Sequence, residues 1–149
     1  MSTWTERRTS NAAPAAVLEV LTDPSACERW APVGFEIRGL DGRRLQAGSR
    51  ARVAGRLAGR EVGFDVEVLA ADEERLALQA DGPFALDVEY RLRPVPAGSE
   101  VHASVAVRST RPGLGARLLA QATSSLLAAG ALRTAVGRLA REAEAVVVL

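Results

Sequence analysis

Residues 13–32 read APAAVLEVLTDPSACERWAP, and how these twenty positions fold decides the architecture. Pro14 suits the first turn of a helix, where its missing N–H leaves no hydrogen bond unmade. Val17, Val20 and Leu21 then fall on one helical face. Asp23-Pro24 repeats the device: the aspartate caps, the proline opens the turn, and a second short helix ends near Trp30. Trp30-Ala31-Pro32 is a stop, because the residue before a proline is pushed out of the helical region.

Outward from this stretch the periodicity changes twice. Residues 3–10 form a first, partly exposed strand. From Phe35 to Arg108 the chain alternates. Val62, Phe64, Val66 and Val68 share one parity against Glu61, Asp65 and Glu67. Phe84, Leu86, Val88, Tyr90 and Leu92 repeat the pattern, as do Val101, Ala103, Val105 and Val107. Such alternation predicts a half-buried antiparallel sheet. Turns fall at Asp41-Gly42, Ala58-Gly59, Asp81-Gly82-Pro83 and Pro96-Ala97-Gly98, with a weaker break at residues 71–73. If Ala58-Gly59 is a two-residue hairpin turn, Arg52 faces Asp65, Arg50 faces Glu67 and Arg56 faces Glu61, with Val53 opposite Phe64 inside. After Pro112-Gly113 the spacing becomes helical through Leu114, Leu118, Ala122, Ser125, Ala129, Leu132, Val136 and Ala140. This predicts one helix from about Leu114 to Ala145, about 45 Å long.

Composition removes several chemistries. The 149 residues suit a single domain, 1–149. All nineteen basic residues are arginines, so no Schiff-base lysine and no P-loop lysine exists. His102 is the only histidine and Cys27 the only cysteine. Neither a two-histidine zinc site nor a disulfide framework is possible. The parity places His102 on the wet face, and Cys27 reads as a buried, inert thiol. No catalytic residue, metal ligand or cofactor is therefore expected. The net charge is +1 and the arginine stripe meets carboxylates across the hairpin, which disfavours nucleic acid. MSTWTERRTS is unlike a signal peptide, and the uncharged run from Leu118 to Leu132 is too short to span a bilayer. A cytoplasmic protein without integral membrane association is the expectation.

Strand, two short helices, a run of strands and a long terminal helix make up an ordered set. With Ala13-Pro14, Asp23-Pro24 and Trp30-x-Pro32 in place, essentially the whole chain resembles the START-like, or Bet v 1-like (SRPBCC), superfamily. Within it the sequence looks most like the bacterial polyketide cyclase/dehydrase and lipid-transport group. The resemblance implies an α+β helix-grip fold: a curved antiparallel sheet of about seven strands wrapped around the long C-terminal helix, with the two short helices after the first strand. It also implies a cavity between sheet and helix for a hydrophobic small molecule, with Trp30 near its mouth.

Inward parity assigns Phe35, Phe64, Val88 and Tyr90 of the sheet to that cavity, and the helical period assigns Leu118, Gln121, Ser125 and Ala129. Tyr90, Gln121 and Ser125 are its uncharged polar handles. Small residues on the helix face are expected to leave the space, so Ala129→Phe should fill it. The leading reading is a binding or carrier protein for a hydrophobic or aromatic molecule. The alternatives are a polyketide cyclase/aromatase-type enzyme and a chaperone-activator-like interaction module.

Overall fold

The computed structural model describes residues 2–31, 35–40, 42–57 and 59–148, without the side chains of 146–148. Pro32, Asp41 and Ala58, which figure in the expected stop and turns, lie outside them. Strand β1 (Ser2–Ser10) leads into α1 (Pro14–Thr22) and α2 (Pro24–Trp30). Six strands follow: β2 (Phe35–Leu40), β3 (Arg50–Leu57), β4 (Arg60–Ala71), β5 (Arg75–Asp81), β6 (Ala85–Val95) and β7 (Gly98–Arg108). They form one antiparallel sheet in the order β1-β7-β6-β5-β4-β3-β2, so the first strand closes beside the last. Two helices end the chain, α3 (Leu114–Ala128) and α4 (Ala131–Val148). This is the helix-grip arrangement.

The opening stretch folds for the reasons its residues supply. Pro14 and Pro24 each stand in a first helical turn, and the Asp23 carboxylate accepts the Ser25 N–H at 3.0 Å. Val17 and Leu21 are fully buried. The two short helices pack on α4, and Arg29 pairs with Glu142 at 3.2 Å across that contact.

The β3–β4 register matches the charge pattern. Arg50 lies opposite Glu67, Arg52 opposite Asp65, Arg56 opposite Glu61 and Val53 opposite Phe64. Arg52 and Asp65 approach to 2.8 Å on the outer face. Arg75–Glu89, Arg108–Asp87 and Arg38–Glu61 continue that layer of pairs, at 3.1, 2.7 and 3.4 Å. Opposed charges hold each other there without burial, a modest contribution per pair.

The terminal helix departs from expectation. It is two helices, broken at Ala129-Gly130, and Gly130 adopts a φ of +100°. Only glycine enters that region without a steric penalty. The turn resets the helical phase. On α4 the predicted face is right: Leu132, Val136 and Ala140 are buried, joined by Leu139 and Ala143. On α3 it is wrong, because the period was continuous through the break. Leu119, Ala120 and Leu127 are buried there, whereas Leu118 is 56% exposed. The core is therefore divided. α4 packs tightly on β1, α1 and α2, while α3 crosses the sheet over β7, β1 and β3.

A candidate ligand cavity

Beneath α3 the interior is hollow. A cavity of about 230 Å³ lies between the inward faces of β2 to β7, the α2 end and α3. Each wall follows from the pleat, which sends alternate side chains inward. Phe35 and Ile37 come from β2, Ala51 and Val53 from β3, and Val62, Phe64 and Val66 from β4. Leu76, Leu78 and Ala80 come from β5, and Leu86, Val88 and Tyr90 from β6. The roof is Thr123, Leu126 and Leu127 of α3 with Ala131 of α4. Leu126 is 41% exposed while lining the space, so it marks the side on which the cavity meets solvent.

Five of the expected residues line this wall: Trp30, Phe35, Phe64, Val88 and Tyr90. The other four do not. Leu118, Gln121 and Ser125 sit on the exposed side of α3 and Ala129 is exposed just after it, because the break at Gly130 gives α3 a different phase from α4. Filling at Ala129 would therefore project into solvent. The roof residues Thr123, Leu127 and Ala131 were missed for the same reason. Their spacing of four was visible in the sequence, and a period fitted to the α3 stretch alone, through Leu119, Thr123 and Leu127, leads to them.

Hydrogen-bonding capacity in the wall is almost spent. The Cys27 thiol donates to the Leu21 carbonyl oxygen at 3.2 Å, and burial pushes it up to about 12, with Asp23 and Glu28 adding to the shift. Thr123 Oγ1 donates to the Leu119 carbonyl oxygen at 3.0 Å. Arg56 contributes to the rim and sends its guanidinium to the Gly59 carbonyl oxygen at 3.2 Å. Trp30, 6% exposed, differs: its Nε1 is buried without a partner among the described residues. An unsatisfied buried donor costs about 1–3 kcal/mol. Its ring stands edge-to-face with that of Tyr90, centroids 5.4 Å apart and planes at 83°. Tyr90 is 3% exposed, and burial, then the neighbouring Cys27, raises its hydroxyl above the ordinary tyrosine value.

Carboxylates sit elsewhere. Asp87 is held below the usual range by its hydrogen bond from Arg108, and Glu89 by that from Arg91. Both belong to the ion pairs of the outer face. Among the described residues no Asp, Glu or His lines the cavity, and no cluster of three such groups stands ready for a metal. No described helix is long and apolar enough to cross a membrane.

Comparisons with known proteins agree with this architecture. Residues 1–144 match the family model described as polyketide cyclase / dehydrase and lipid transport. No curated protein matches the sequence. Among solved structures, TTHA0849 from Thermus thermophilus superposes with a TM-score of 0.72 at 19% identity, covering 97% of this chain and 99% of that one. Ara h 8.0201 gives 0.56 at 16% identity, with 93% and 97% covered. DynU16, a protein of the dynemicin biosynthetic locus, gives 0.59 at 20% identity. Here 95% of this chain is covered but only 46% of DynU16. At these identities the likeness is one of fold.

Proposed function

Because this chain belongs to the family of polyketide cyclases, dehydrases and lipid-transport proteins, within the START-like superfamily, we propose that it binds a largely apolar small molecule beneath α3 and carries it unchanged. One observation carries the reading: an apolar space of about 230 Å³ inside a chain whose other half is closely packed. Natural interiors hold few voids larger than a water molecule. At ~24 cal/mol per Å³, an empty space of this size would cost up to about 5 kcal/mol if it were fully enclosed. That is comparable with the whole stability of a domain, so retaining it argues for use. Trp30, Phe35, Phe64, Val88 and Tyr90 are the proposed contacts, under a roof of Thr123 and Leu127.

Val88→Phe tests it, with naphthalene as the probe and its fluorescence as the readout. The added ring projects into empty apolar space, so the fold should keep its thermal midpoint. Naphthalene affinity should fall at least tenfold, while Ala129→Phe, on the exposed face, should bind like the wild type. A wild type that takes up no naphthalene, together with a Val88→Phe chain that unfolds, would mean a closed core and end the reading.

Tyr90 favours a second reading, a cyclase or dehydratase acting on a polyketide-like chain. Burial makes this phenol a weaker acid, yet kept neutral in an apolar wall it can still donate a hydrogen bond to an enolate oxygen that develops in such chemistry. The family description and the biosynthetic locus of DynU16 point the same way. Against it stands a wall in which the described residues place no base. Cyclised product from a linear poly-β-ketone thioester, lost in Tyr90→Phe, would decide for the enzyme.

A further inference from the structure

Resting on the apolar-ligand reading, we propose that the ligand carries one neutral hydrogen-bond acceptor, such as a ketone oxygen, which docks at the corner formed by Trp30 and Tyr90. Everything else the cavity offers is apolar or already committed. Cys27 and Thr123 are spent on backbone carbonyls, and the Arg56 head is turned to Gly59 at the rim. Trp30 Nε1 can only donate, and it lacks an acceptor among the described residues. Tyr90 lines the same corner, and its hydroxyl can donate as well. Trp30 and Tyr90 place two donor side chains at one corner of a greasy wall, one of them without a partner among the described residues. Together they select a molecule with one acceptor there and hydrocarbon elsewhere. A neutral head is required, because no charged group of the described residues faces the corner to balance an ion.

Size narrows the class further. An apolar cavity of about 150 Å³ holds benzene, with six carbons. In proportion, the space here takes a skeleton of about nine or ten heavy atoms, a fused bicycle. The inferred ligand is an aromatic or alicyclic bicyclic ketone, or the bicyclic end of a longer molecule that leaves past Leu126. As it docks, the indole turns its edge toward the acceptor.

Indane and 1-indanone differ by the one oxygen and serve as probes. Two readouts are needed: calorimetric affinity, and the indole N–H signals of ¹H–¹⁵N spectra. The chain has two tryptophans, and Trp30→Phe assigns the signals. The expected result is that 1-indanone binds the wild type more tightly than indane, although water holds the ketone better. The Trp30 indole proton should move downfield with 1-indanone and stay in place with indane. Trp30→Phe should weaken 1-indanone about tenfold and leave indane within twofold. Tyr90→Phe gives the same contrast, at smaller size, should Trp30→Phe not fold. If indane binds as well as 1-indanone and the Trp30 proton is unmoved by either, the donor is spent on the Tyr90 ring and this inference falls alone. If neither probe binds, the apolar-ligand reading falls and takes it along.

Discussion

Cys27 and Tyr90 show what a single buried residue says about this cavity. Their side chains touch the same wall, and both are held in the neutral form, chiefly by burial. In the unfolded chain they ionise near their ordinary values of 9.0 and 10.0. As the pH rises, the unfolded state therefore sheds protons first. Stability from the two neutral groups is intact below pH 9 and is lost progressively as the pH climbs toward 12 and beyond. Each group contributes a slope of up to about 1.4 kcal/mol per pH unit within its window. The composition makes the effect readable: one cysteine, one tyrosine and no lysine leave few other groups titrating there. Urea midpoints at pH 8 and 10.5 should fall more for the wild type than for Cys27→Ala or Tyr90→Phe. Equal falls in all three would mean that the wall is wet.

Gly130 matters at the level of the element, where it separates what the sequence made legible from what it did not. Strand parity needs only neighbours two apart, so Val53, Phe64, Val88 and Tyr90 were assigned to the inner face without error. The register of β3 on β4 was equally readable, because a short turn and complementary charges fix it together. Helical phase carries only along an unbroken helix, so one period drawn across Gly130 can match one side alone, and it matched α4 and not α3. A glycine inside a strong helical pattern reads as a tolerated weakness, and nothing in the local sequence reveals a positive φ. Gly130→Ala separates the two structures by sign. In a continuous helix the substitution would stabilise by about 1 kcal/mol. With φ at +100° the added Cβ finds open space, so only the backbone objects, and the expected loss is about 1–2 kcal/mol. A rise in the urea midpoint would restore the single helix and the exposed-face site with it.

Across the whole molecule, the sheet serves two interiors that answer to different demands. Under α4, Leu132, Val136, Leu139 and Ala143 close against α1 and the β1–β7 edge. Ser10 adds a hydrogen bond to the Ala140 carbonyl oxygen at 3.3 Å. Under α3, residues of the same chemical kind surround empty space. The sequence foretold both interiors as one, since hydrophobic periodicity records which side chains face inward and not whether anything meets them there. Truncation at matched positions should expose the difference. Leu139 is fully buried in α4 with neighbours on every side, so Leu139→Ala leaves a new cavity and is expected to cost about 3–5 kcal/mol. Leu127 is buried in α3 but already borders the hollow. Its side chain has fewer contacts to lose, so Leu127→Ala should cost less than half as much, roughly 1–2 kcal/mol. The same substitution enlarges the space beneath α3 and should shift binding toward bulkier hydrocarbons, which Leu139→Ala cannot do. Denaturation curves of the two variants check the stability contrast, and indane and naphthalene titrations check the binding. Equal costs would show that the α3 half is as tightly packed as the α4 half, and a division of labour between fold and cavity could not then be maintained.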